Sequence, residues 1–323
     1  MLSKKTAVLI ANLGSPSAPT TSAVRQFLRE FLSDPRVVNI PSPLWRLILH
    51  LFILPFRPSK SLKAYKKIWQ EKGSPLVFLT RQLGEKIAGK LDGETVVTDY
   101  AMRYGQPSIA SRLRRFQELG VTHLLVLPLY PQYSSTTTAS IYDGVVKELN
   151  RWRHLPHLQF ISDYFQHSAY LAAIAESIKL AWQRQGGKNQ LLLMSFHGLP
   201  ARLTQLGDPY FLHCQKTAEL VAQRLQLQDN EWKLVFQSRF GKAEWLKPYC
   251  ADTLKKLPAL GIKRIDVVCP GFAVDCLETL EEIAMENKAV FIGAGGEAYH
   301  YIPALNDSDA HVELMLTLLA EKL

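Results

Sequence analysis

What the chain has little of narrows its chemistry first. Its 323 residues hold only four cysteines, Cys214, Cys250, Cys269 and Cys276, with no CxxC pair and no Cys/His quartet at zinc-finger spacing. That excludes a thiolate zinc site and a disulfide framework, and it points to a reducing compartment. No linker rich in Gly, Ser or Pro divides the chain. No apolar run reaches the roughly 20 residues that cross a bilayer. The N-terminal run lasts seven residues and stops at Asn-Leu-Gly-Ser-Pro, so it reads as a buried strand and a loop rather than a signal peptide. The basic residues are spread out and do not alternate with aromatics, which argues against nucleic acid as a partner.

What is present is the balance of a globular protein, with 47% apolar and 21% charged residues. The formal charge of +9 suits an anionic partner, whether polycarboxylate, phosphate or anionic lipid. Apolar strand runs at 6–12, 95–100, 123–128, 158–162, 190–196, 233–237, 264–269 and 289–293 alternate with amphipathic helical stretches. Strands separated by helices predict an α/β fold with parallel sheets flanked by helices. The order of motifs also repeats. "AVLIANLGSP" is echoed by "LLLMSFHGLP", "VVTDYAMRYGQP" by "WKLVFQSRFGKA", and "GVTHLLVLPLYP" by "GIKRIDVVCPGF". Three echoes in series predict two similar halves, 1–160 and 161–323.

Open α/β sheets present ligands at the carboxyl ends of their strands. Those segments here carry Gly, Pro, Arg, aromatics or His, and none has the G-x-G-x-x-G spacing of a dinucleotide site. His197 follows a strand run and precedes Gly-Leu-Pro. An imidazole there can accept a proton or bind a metal near neutrality. Asp275 is a candidate N-cap, followed by Glu278, Glu282 and Glu286 at intervals of four. Such a stripe of like charges is a solvated helix face or a path for cations and protons. The run Pro43 to Phe56 is either a buried helix or a hydrophobic lip, with Arg57, Lys60, Lys63, Lys66 and Lys67 beside it. Arg103 and Tyr130 are candidate ligand contacts.

Taken together, "NLGSP", "REFLSDPRVVNIP", "KGSPL", "AMRYGQPSI", "LPLYPQYSSTTTAS", "SFHGLPAR", "FQSRFGKAEWLKPY" and "VVCPGFAVDCLETLEEI" resemble the ferrochelatases in order along nearly the whole chain. The resemblance implies two Rossmann-like domains with an active-site cleft between them, and insertion of ferrous iron into protoporphyrin IX. Coproporphyrin III is the alternative substrate, and a non-catalytic tetrapyrrole carrier the alternative class. By the same resemblance His197 and Glu278 are catalytic residues and iron ligands, with Glu282 and Glu286 continuing a metal or proton path. Arg103, Tyr130, Ser74, Phe272 and Leu13 fall at porphyrin-contacting or pocket-lining positions and Pro43 to Phe56 at the lip, while Arg57 beside it is a candidate for the substrate's anionic arms. Leu13 stands where relatives often carry an aromatic residue or methionine, and a leucine cannot ligate iron. Iron is then substrate, no resident cofactor is required, and no [2Fe-2S] cluster is expected, since no cysteine follows Cys276. A cytoplasmic monomer touching the inner face of a membrane completes the expectation.

Overall fold

The computed structural model describes residues 5–38, 42–239, 241 and 243–323. Phe240, in the strand-end motif Arg-Phe-Gly of "WKLVFQSRFGKA", and Asn39 to Pro41 lie outside the described residues. The chain forms two compact units. One comprises Met1–Tyr130, Ser134–Asp163 and Asp307–Leu323, and the other Pro131–Tyr133 and Tyr164–Asn306.

In chain order the first unit contains β1 (Thr6–Gly14), α1 (Thr21–Leu32), α2 (Ser42–Ile48), a π-helical segment Leu49–Ile53, α3 (Leu54–Ile68) and α4 (Pro75–Leu91). It continues with β2 (Val96–Tyr104), α5 (Ile109–Glu118), β3 (His123–Pro128), α6 (Thr138–Leu149) and β4 (His157–Phe160). The strands are parallel in the order β2-β1-β3-β4. β1 lies between two neighbours, and Ala7 to Ala11 are fully buried, as expected of a strand covered on both faces. Gly14 ends β1 at φ +108°, where a Cβ would stand 1.8 Å from the Tyr104 carbonyl oxygen. Only glycine closes that strand.

The second unit contains α7 (Ser168–Gln185), β5 (Leu191–His197), α8 (Arg202–Gln205), α9 (Tyr210–Arg224), β6 (Trp232–Gln237), α10 (Cys250–Lys256) and β7 (Arg264–Val268). A π-helix Glu278–Asn287, α11 (Lys288–Gly293) and β8 (Ala298–Ile302) follow. Its parallel sheet has the order β6-β5-β7-β8, which is the first order repeated four strands later. The three sequence echoes fall on the equivalent pairs β1/β5, β2/β6 and β3/β7.

Two predicted elements change. The run 289–293 is helical, and the last strand is β8, further along. A short apolar run does not distinguish strand from helix, and here it prolongs a helix already under way. The C-terminal helix α12 (Asp309–Ala320) belongs to the first unit, although it lies in the second half of the chain. Ion pairs Lys86–Asp307 at 2.8 Å and Lys90–Glu313 at 2.5 Å join this segment to α4.

Candidate active site

His197 is the last residue of β5, half-buried, and paired in register with Gln237 of β6. Its Nδ1 lies 2.6 Å from the Gly198 carbonyl oxygen. A carbonyl only accepts, so Nδ1 carries the proton and Nε2 keeps the lone pair. Gly198 lets β5 approach β6, since its N–H donates to the Gln237 carbonyl at 2.8 Å. A Cβ there would stand 2.5 Å from the same oxygen. Phe272, packed against the second unit's core, has its ring centre 6.5 Å from that of His197.

The predicted acidic helix is a π-helix over its whole acidic part. Such i→i+5 segments are uncommon beyond a single turn and concentrate at functional sites. Glu278 and Glu282 are half-buried, whereas Glu286 is exposed. Burial raises the Glu282 carboxyl above its ordinary pKa, opposed by bonds from Ser238 and reinforced by Glu278. Glu282 accepts from the Ser238 N–H at 2.6 Å and from the Ser238 hydroxyl at 2.5 Å. Ser238 holds that position at φ +64°, a left-handed conformation uncommon for serine.

Gln237 ties these groups together. Its amide nitrogen donates to the Glu278 carbonyl at 2.9 Å and faces Glu282 at 3.4 Å. Its amide oxygen accepts from Ser195 at 2.8 Å. Gln237 and Ser238 were not among the residues expected from the sequence, although both lie in the echoed motif "WKLVFQSRFGKA". Asp275, expected as an N-cap, makes no cap bond, because Thr279, Tyr301 and Asn306 take up its carboxylate. Among the described residues, no three His, Cys, Asp or Glu side chains stand together as a metal-holding group. The predicted set His197, Glu278, Glu282 and Glu286 is therefore graded along a helix rather than gathered at a point. The four cysteines are buried free thiols, and burial holds Cys250 up at about 12, which makes thiolate ligation unfavourable.

In the first unit Arg103 points into the protein. It pairs with Asp34 at 2.6 Å, and its Nε donates to the Ser140 carbonyl at 2.7 Å and hydroxyl at 2.8 Å. The same Asp34 oxygen accepts from Tyr104 at 2.7 Å and Ser140 at 2.6 Å. Burial would raise the Asp34 carboxyl. The bonds from Ser140, Tyr104 and the Arg36 N–H, with the Arg103 charge, outweigh it and hold Asp34 below its ordinary value. Tyr130 packs partly buried on the first unit's core, and Leu13 is half-buried near the end of β1. Ser74 is buried at the N-cap position of α4, and Arg57 lies half-buried on α3, its pKa lowered by burial.

The run Pro43 to Phe56 is a helix with a π-helical middle, and it is largely uncovered. Leu49 and Leu54 are buried, but Leu44, Leu47, Leu51, Phe52 (62% exposed) and Phe56 (73% exposed) face out. The plain buried helix is thus set aside for this stretch. No helix among the described residues is long and apolar enough to cross a membrane.

The ferrochelatase family model matches residues 5–323. The chain is 54% identical over 315 residues to the ferrochelatase of Methylococcus capsulatus, covering 98% of this chain and 96% of that one. It is 52% identical over 316 residues to that of Nitrosococcus oceani, covering 97% and 86%. The chain belongs to the ferrochelatase family. It is a metal chelatase, a lyase that inserts iron into a porphyrin in heme biosynthesis. Among solved structures, SirB from Bacillus subtilis with Fe3+ aligns at TM-score 0.59 and 12% identity, covering 98% of this chain and 95% of that one. CbiX, described as the terminal enzyme for siroheme biosynthesis in denitrifying bacteria, aligns at 0.55 and 14%, covering 99% and 100%. These likenesses show the chelatase fold shared by both sheets.

Proposed function

We propose that the porphyrin is protoporphyrin IX, that His197 takes its pyrrole protons, and that Glu278 with Glu282 and Glu286 conveys iron or protons. Metal insertion removes two N–H protons, forms iron–nitrogen bonds and strips water from the ferrous ion. His197 suits the proton step, because its Nδ1–H is engaged by Gly198 and its Nε2 lone pair is left to accept. Glu278 starts the π-helix, Glu282 is held by Ser238, and Glu286 reaches solvent. That step from half-buried to exposed suits a relay to or from water. Leu13, Ser74, Arg103, Tyr130, Phe272 and Arg57 are proposed as the porphyrin's surroundings, with Arg103 kept oriented by Asp34.

The uncovered apolar stretch is the observation that favours protoporphyrin. Two carboxylates leave most of that macrocycle apolar, whereas coproporphyrin III carries four. Exposed Lys60, Lys63, Lys66 and Lys67 follow the same stretch, so a cytoplasmic monomer resting on an anionic membrane face fits the same surface. Anaerobic rates with the two porphyrins, compared at equal ferrous iron, test the substrate. A higher kcat/KM for protoporphyrin IX is expected, and a clear preference for coproporphyrin III would reverse the assignment.

A further inference from the structure

We propose that His123 and His157 form a second metal site, in the first unit, for an imidazole-seeking divalent ion of the Zn2+, Ni2+ or Cu2+ type. It does not depend on the catalytic roles above. The two histidines open β3 and β4 and are paired in register, with Thr6 of β1 continuing the row. Residues side by side on parallel strands project from the same face of a sheet. The two rings accordingly stand with centres 5.5 Å apart and planes at 58°.

That separation is the one chelation needs. With metal–nitrogen bonds of about 2.1 Å and each ring centre roughly an ångström behind its nitrogen, a tetrahedral angle sets the centres about 5.1 Å apart. The observed 5.5 Å is close to that spacing, so the two rings lie within reach of one shared ion. The outer side of one ligand is also in place. His123 Nδ1 lies 3.0 Å from the Thr122 hydroxyl oxygen, and that hydroxyl lies 3.3 Å from the Lys5 carbonyl. A metal at Nε2 selects the tautomer in which Nδ1–H donates to Thr122 and the hydroxyl proton turns to Lys5, the support that metal-bound histidines usually have.

The pair opens on a cavity of about 200 Å³, lined also by Leu125, Gln159, Lys322 and Leu323. Gln159 is two residues beyond His157 on the same strand, so its side chain shares that face, and its amide oxygen can join water as a further ligand. No third His, Cys, Asp or Glu completes a cluster among the described residues. Lys322 adds a positive charge to the cavity lining. A hard ion such as Mg2+ or Ca2+ needs several anionic oxygens, and no Asp or Glu side chain lines the cavity. An ion that bonds strongly to neutral imidazole still gains from the pair. The histidines sit at the amino ends of their strands, while Leu13 lies near the carboxyl end of β1 and Tyr130 just beyond that of β3.

The test is calorimetric titration of the full chain with Ni2+ in a His197→Ala background, which removes the other candidate imidazole. One Ni2+ per chain is expected. Loss of an outer-shell partner costs roughly tenfold or more in affinity, so His123→Ala or His157→Ala, each losing a ligand itself, should weaken Ni2+ by at least that factor. Lys322→Ala should tighten it, and excess Mg2+ should not compete. His157 is exposed, so its substitution carries the test if His123→Ala fails to fold. An unchanged Ni2+ isotherm in His157→Ala, or displacement by Mg2+, overturns the site.

Discussion

Asp34 accepts from Arg103, Tyr104 and Ser140 through one oxygen, and all three partners are at least 69 residues away in sequence. Removing the carboxylate by Asp34→Ala leaves a guanidinium and two hydroxyls without it, and should cost about 3–5 kcal/mol. Chemical denaturation at neutral pH measures this. Asp34 is depressed below its ordinary pKa, so its stabilisation is complete above the unfolded aspartate value of about 3.9. It is lost as pH falls through the lower folded value. The stability difference between the native chain and Asp34→Asn should therefore be flat from neutrality to about pH 5 and shrink at strongly acid pH. Acid titrations of both chains check the sign. At His197 the sensitive neighbour is Gly198, whose substitution by alanine presses a methyl group to 2.5 Å from the Gln237 carbonyl. With His197 as the proposed base, displacing it by about an ångström costs on the order of 100-fold. Gly198→Ala should lower kcat by about that much, read in a steady-state metallation assay. The positions of His197 at a strand end and of Glu278 on a carboxylate stripe could be read from the sequence, because both are local patterns. The roles of Asp34, Gln237 and Ser238 could not, because they depend on partners supplied by distant elements.

Elements were legible to the extent that periodicity is specific. Seven of the eight predicted strand runs became strands, and the eighth failed because "AVFIG" is short and follows a helix. The π-helical winding of Glu278–Asn287 has no sequence signature, since apolar spacing reports a face and not a hydrogen-bond pattern. The uncovered apolar stretch was left between a buried helix and a lip, as hydrophobicity alone does not say what covers a helix. Its exposed Phe52 and Phe56 give a prediction at this scale. Phe52→Ser with Phe56→Ser should reduce co-sedimentation with anionic vesicles severalfold while leaving thermal stability nearly unchanged, because neither ring is buried. Equal binding by both chains would remove the membrane from the account.

For the whole molecule, duplication was the most legible feature. Two sheets with the same strand order bear out the three echoes, because equivalent strands end in loops of similar chemistry. The return of α12 to the first unit was not legible, since its partner α4 lies more than 200 residues earlier. A net charge of +9 implies that vesicle binding weakens with added salt, because screening shortens the reach of those charges to about 8 Å at physiological ionic strength. Vesicle binding measured at low and high salt checks this.

The most direct measurement is anaerobic turnover of protoporphyrin IX and ferrous iron by the native chain and by His197→Ala, with porphyrin binding measured in both. The native chain should consume many equivalents of porphyrin fluorescence. His197→Ala should bind the porphyrin and metallate almost none of it. Near-native turnover by His197→Ala would contradict the assignment of His197 as the base, and a single equivalent consumed by the native chain would contradict catalysis itself.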